Sequence, residues 1–125
     1  MEEGQRRRVL VVDDDVKLGN LIARALKPEH DVFVLTNGRE ALNHIERGAR
    51  FDLVLCDLML PGLSGMDFYE QLGSIAPELV EHVVFLNGGA FTPRATAFLE
   101  QTNIVRLDKP FRLEELRQVV RDHSS

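Results

Sequence analysis

Five short apolar runs, at 8–12, 31–35, 52–57, 82–87 and 104–108, alternate along the chain with longer segments in which apolar residues recur every three or four positions. The short runs suit buried strands and the longer segments amphipathic helices, so the alternation predicts repeated βαβ units. Five strands and five helices result, arranged as an α/β doubly wound parallel sheet. Leu18, Leu21, Ile22, Ala25 and Leu26 form one stripe of the first helix. Phe68, Leu72 and Ile75 do so in the third, and Leu113, Leu116, Val119 and Val120 in the fifth. These stripes read as core.

Local punctuation agrees with that division. Asn37 with Glu40 and Ser64 with Asp67 have the spacing of capping boxes, Thr92-Pro93 reads as an N-cap followed by an N1 proline, and Gly48 suits a helix end. The polar start, Met1 to Arg8, and the polar tail, Arg121 to Ser125, frame the periodic part. Arg6-Arg7-Arg8 reads as a solvated lead-in to the first strand.

A chain of 125 residues fits one domain over 1–125, with enough length for a real core. Fifteen basic against twenty acidic residues leave a net charge of -5, so neither nucleic acid nor an anionic membrane is an expected partner of this domain. The lone Cys56 has no partner within the chain and reads as a small buried hydrophobe. No apolar stretch approaches the roughly 20 residues of a membrane span, and no secretory segment opens the chain. A reducing, cytoplasmic setting is expected. His30, His44, His82 and His123 show no ligand spacing and are assigned no chemistry.

The chemistry lies where the apolar runs stop. Val9 to Val12 leads into Asp13-Asp14-Asp15, Leu53 to Cys56 into Asp57, and Ile104 to Asp108 into Lys109-Pro110. Parallel strands present their carboxyl ends to one crevice, so these residues should meet there. Two like charges about 4 Å apart repel by roughly 4 kcal/mol at an effective dielectric of 20. Asp13, Asp14 and Asp57 therefore require counter-charge, which Lys109 and one divalent cation would supply. A hard site built only of oxygen favours Mg²⁺, which retains waters and accepts a phosphate oxygen. Asp57 ends its run alone, before the irregular Leu58-Met59-Leu60-Pro61-Gly62 that would leave it exposed, and is the candidate nucleophile toward phosphorus. Asp13 and Asp14 are candidate metal ligands, and Lys109 the contact to phosphoryl oxygens. Asp15 reads as a helix N-cap or turn residue.

Asp13-Asp14 after the first strand, Asp57 with Met59, Pro61 and Gly65 behind it, and Lys109-Pro110-Phe111 after the fifth strand resemble the receiver domain of two-component response regulators, over essentially the whole chain. The resemblance implies a flavodoxin-like sheet of order 2-1-3-4-5 and a phosphoryl group accepted on Asp57 from the histidine of a kinase or phosphotransfer domain. It further implies Mg²⁺ held by Asp14, Asp57 and the Met59 backbone carbonyl, with Asp13 acting through water, and a cis peptide before Pro110. An output domain or protein of unknown kind would receive the signal through the fourth helix, fifth strand and fifth helix, which here carry Arg94, Arg106 and Arg117. The stretch Phe85 to Pro93 further resembles receivers fused to hybrid sensor histidine kinases.

Two positions depart from that family. Asn87 stands where a Thr or Ser hydroxyl usually contacts the phosphoryl group, and Arg106 where a switch aromatic usually rotates inward. The Asn87 amide can still donate to an anion, and Gly88 leaves space beside the site; Gly88 and Gly89 also read simply as a strand-to-helix turn. The two departures leave open a phosphorylation-independent docking module with a degenerate switch. An enzyme on a similar sheet is the third reading. Against it, a flavin or nucleotide site wants N–H groups in the first loop, and an aspartate-based phosphatase wants an acid at the position of Met59.

Overall fold

The computed structural model describes residues 6–89, 92–101 and 103–124. Strands β1 (Arg8–Val12), β2 (Asp31–Leu35), β3 (Leu53–Asp57), β4 (Val83–Asn87) and β5 (Val105–Asp108) form one parallel sheet in the order β2-β1-β3-β4-β5. Between and after them run α1 (Val16–Leu26), α2 (Gly38–Glu46), α3 (Gly65–Ile75), α4 (Pro77–Val80), α5 (Pro93–Leu99) and α6 (Leu113–His123). The fold class and strand order are as expected. The sixth helix is a single turn, α4, which begins at Pro77 because a proline at the first helical position loses no needed N–H bond. Stretch 90–91 of the expected Phe85 to Pro93 signature lies outside the described residues, as do Met1 to Gln5 of the polar start and Ser125 of the tail.

Period-two alternation divides the central strands between two cores. Leu10, Val12, Val54, Cys56 and Phe85 pack with Leu42, Phe68, Leu72, Ala95 and Phe98 of α2, α3 and α5. Val9, Val11, Leu53, Leu55, Val84 and Leu86 pack with Ile22, Leu26, Leu116 and Val120 of α1 and α6. Phe85 and Phe98 meet edge to face at 5.1 Å, and Tyr69 meets each of them edge to face at 5.5 Å. Cys56 is fully buried, as a small hydrophobe should be. Leu21 breaks the expected stripe of α1: it is 44% exposed, and Ala23 takes the inward position instead.

The caps form where the pattern placed them. Asn37 Oδ1 accepts from Arg39 and Glu40 N–H, Ser64 Oγ from Asp67 N–H, and Thr92 Oγ1 from Ala95 N–H. Gly48, at φ +108°, closes α2 in a conformation side chains rarely adopt. The arginine lead-in is solvated, as expected, with Arg6 and Arg8 exposed, and it is also tied down. Arg6 pairs with Asp31 at 2.7 Å, and the Arg8 guanidinium lies 4.7 Å from the Phe33 ring centroid and 5.6 Å from that of Phe51. Sequence periodicity carries no trace of these contacts, because they join separate strands and loops. Among the described residues, no helix is long and apolar enough to cross a membrane.

Candidate functional site

The in-register pairing of β1 with β3, Val12 opposite Cys56, brings the residues that follow each strand to the same edge of the sheet. Asp13, Asp14 and Asp57 each direct a carboxylate oxygen there, all within 4.8 Å of one another. Asp13 is wholly buried and Asp57 nearly so, whereas Asp14 is exposed. The expected exposure of Asp57 is thus not found: its side chain retains 11% of its surface, because Leu58 and Leu60 of the following loop turn into the core.

Each side chain is held by identifiable bonds. Asp13 N–H donates to Leu35 O at 3.1 Å, which extends the sheet by one rung, and Asp13 Oδ1 accepts from Asp15 N–H at 2.9 Å. Asp15 caps α1, its Oδ1 accepting from Leu18 N–H at 3.1 Å, which matches the role given to it from sequence. Asp57 Oδ1 accepts from Met59 N–H at 3.4 Å. Lys109 reaches across from the end of β5, with Nζ 3.1 Å from Asp13 Oδ2 and 3.7 Å from Asp57 Oδ1. The Lys109–Pro110 peptide bond is cis.

Burial pushes the Asp57 carboxyl up to about 6; Asp13 pushes in the same direction, while Lys109 and the Met59 N–H oppose them. Cys56, buried directly beneath, is pushed well above the usual thiol range by burial and then by Asp57 and Asp13, so it is inert as a nucleophile.

Gly65 is a part of the site that periodicity did not single out for a role. A Cβ there would lie 2.5 Å from Asp57 O and 2.8 Å from Leu58 Cα, both backbone atoms that cannot step aside. Only glycine lets the start of α3 seat against the loop that carries Asp57, and Gly65 N–H bonds Leu58 O at 2.9 Å. The available signal was a glycine directly after the Ser64 cap, where a helix former would otherwise be favoured.

At the far side of the crevice Asn87 Nδ2 donates to Asp108 Oδ1 at 3.0 Å, and its Oδ1 accepts from Gly89 N–H at 3.1 Å. Arg106 is half-exposed and pairs with the same Asp108 oxygen at 3.3 Å. Gly89 has φ +134°, a turn conformation that glycine adopts freely, and a Cβ on Gly88 would meet only Lys109 Cδ at 3.5 Å. Arg94 is paired with Asp67 at 2.8 Å, which ties α5 to α3.

Three clustered carboxylates and one lysine at the carboxyl edge of a five-stranded parallel sheet define an α/β domain with an oxygen-only cluster that could hold a hard cation. The chain belongs to the response regulator receiver domain family, whose profile matches residues 9–121. It is 37% identical over 117 residues to the DNA-binding response regulator MtrA of Mycobacterium tuberculosis H37Rv, covering 93% of this chain and 50% of that protein. To the transcriptional regulatory protein TcrA of the same organism it is 38% identical over 111 residues, covering 87% and 42%. The chain thus spans about half the length of the curated relatives it matches.

Among solved structures, the signal receiver domain of a LuxO repressor protein from Vibrio parahaemolyticus superposes with a TM-score of 0.78 at 28% identity, covering 94% of this chain and 89% of that one. The receiver domain of a sensor histidine kinase from Pseudomonas aeruginosa PAO1, with a magnesium ion coordinated in its active-site cleft, gives 0.79 at 22% identity, covering 94% and 96%. These likenesses agree with the family and sheet order expected from the sequence. The chain is a receiver domain of two-component signal transduction.

Proposed function

We propose that Asp57 is the phosphoacceptor of this receiver, taking its phosphoryl group from the histidine of a kinase or phosphotransfer domain. The observation that carries this reading is the convergence of Asp13, Asp14 and Asp57 within 4.8 Å, with the Lys109 ammonium 3.7 Å from Asp57. In the transfer, an Asp57 carboxylate oxygen forms the new O–P bond, the P–N bond to the donor imidazole breaks, and the imidazole nitrogen keeps the electron pair. Lys109 stands where it can follow the developing charge on the phosphoryl oxygens. The Met59 N–H orients the Asp57 carboxylate, and Asp13 holds Lys109 in place.

The donor set fits Mg²⁺: three carboxylates, one of them exposed, and no nitrogen or sulfur ligand. Asp13, Asp14 and Asp57 would hold the ion together with the Met59 backbone carbonyl, and the ion would supply charge neutralisation between carboxylates and phosphoryl oxygens. Gly88, without a side chain, lies beside Lys109, whose Cδ is 3.5 Å from where a Cβ would stand, and would contact the phosphoryl group there. The domain is read as acting on itself, with self-phosphorylation and self-dephosphorylation but no turnover of an external substrate, in the cytoplasm.

Incubation with Mg²⁺ and acetyl phosphate tests this directly. One hydroxylamine-sensitive phosphoryl mass should appear on the parent protein and be lost in Asp57→Asn. A parent protein that gains no such mass, or an Asp57→Asn variant that gains it equally, would overturn the assignment and leave a docking module.

A further inference from the structure

β3 and β4 begin beside one another at the edge of the sheet opposite the acidic crevice, and a cavity of about 480 Å³ opens there. Asp52 precedes β3 and His82 precedes β4, so the cavity lies a strand's length, about 15 Å, from Asp57. Its size falls within the range of about 300–1,000 Å³ usual for small-molecule sites. Ile45 of α2, Phe51, Ile75 of α3 and Leu79 of the α4 turn supply apolar walls.

The polar groups on the lining are biased toward acceptors. His82 is half-buried and held in place: its N–H bonds Leu79 O at 2.9 Å, and its O accepts from Val54 N–H at 2.9 Å. Its Nδ1 lies 2.7 Å from His123 O at the end of α6. A carbonyl only accepts, so Nδ1 carries the proton and Nε2 of the neutral ring is an acceptor. Glu78 and Asp52 add carboxylates, and Asp52 Oδ2 already accepts from Arg8 N–H at 2.8 Å. With His82 neutral, the lining carries two carboxylates against one guanidinium, that of Arg50 between α2 and β3. Glu78 and His82 Nε2, on the side of α4 and β4, stand away from that arginine in the chain order and offer acceptors alone.

We propose that this cavity binds a small organic cation with an apolar body, of the arylalkylamine class, its ammonium group donating to His82 Nε2 and Glu78 while its ring covers Phe51 and Ile75. The site is independent of the reading of Asp57. Charge sets its selectivity: a carboxylate in place of the ammonium would face Glu78 and Asp52, and a hydroxyl would lose the charge-assisted bonds. Binding also reaches α6. An ammonium group on Nε2 polarises the imidazole and strengthens its Nδ1–H bond to His123 O, so an occupied cavity holds the last turn of α6 more firmly.

Tryptamine, tryptophol and indole-3-acetate share an indole ring and differ in charge, and their titration into uniformly ¹⁵N-labelled protein at neutral pH tests the site. Tryptamine should shift the Phe51, Leu79 and His82 amides saturably and bind about fivefold more tightly than either analogue. Glu78 is exposed, so Glu78→Gln should leave the fold intact, weaken tryptamine by about two- to fivefold and leave tryptophol unchanged. The Ser124 amide, next to the carbonyl that His82 holds, should move along the same tryptamine curve. Cavity amides unmoved by millimolar tryptamine overturn the site. An analogue that binds as tightly as tryptamine, or an unchanged tryptamine affinity in Glu78→Gln, overturns the ligand class, and a fixed Ser124 amide at saturation overturns the link to α6.

Discussion

Replacing Asp57 by Asn should make the metal-free protein more stable, although it removes the residue assigned to the chemistry. With Asp57 raised from 3.8 to about 6, ionising it in the folded chain costs about 3 kcal/mol relative to the unfolded chain. The geometry accounts for the sign. Carboxylates within 4.8 Å repel by about 3.5 kcal/mol at an effective dielectric of 20, and Lys109 at 3.7 Å attracts by about 4.5 kcal/mol. Asp57 faces two such carboxylates and one lysine, so the pairwise terms leave a net repulsion that adds to burial of the charge, the larger cause. Because the native state holds the proton more tightly, the penalty is absent below about pH 4, grows as pH rises through about 6, and is complete above it. In EDTA at pH 8, Asp57→Asn should therefore exceed the parent by about 2–3 kcal/mol, which moves a urea midpoint by about 1 M or more at usual slopes. The two should converge at pH 4. Mg²⁺ at about 100 times its dissociation constant should add about 2.7 kcal/mol to the parent and markedly less to the variant. A variant no more stable than the parent at pH 8, or a difference that persists at pH 4, would refute the reasoning.

Gly65→Ala should lower stability by about 1–3 kcal/mol and weaken Mg²⁺ affinity, because the new methyl group would press on the backbone of Asp57 and Leu58; thermal melts with and without Mg²⁺ check both. His30 carries the opposite pH sign to Asp57. It is buried, its Nδ1 accepts from Arg7 N–H at 3.2 Å, and burial holds its pKa below 6.5, so its contribution is present above that pH and lost as pH falls through the lowered value. The stability difference between the parent and His30→Asn should accordingly narrow between pH 7.5 and 5 in urea unfolding.

Much of the site was legible because parallel strands impose a simple rule: whatever follows each strand arrives at one edge. Asp13, Asp14, Asp57 and Lys109 could be grouped from three strand ends alone, and the caps at Asn37, Ser64 and Thr92 from local hydrogen-bonding chemistry. Leu21 was misplaced because a helix of period 3.6 offers two neighbouring stripes, and only the packing of α1 on the sheet selects Ala23 over it. The tying of Arg6 to Asp31 joins positions 25 apart and has no local pattern to reveal it.

The order of apolar and polar residues by itself determined the alternation of strand and helix, the core stripes and the side of the sheet on which the acids gather, since each follows from backbone geometry and periodicity over a few residues. Tertiary structure alone decided how deeply Asp57 sits, that Gly65 must lack a side chain, and that Asn87 and Arg106 share Asp108. Depth, clearance and partner choice depend on atoms brought together from distant parts of the chain, and a one-dimensional pattern contains no distances between them.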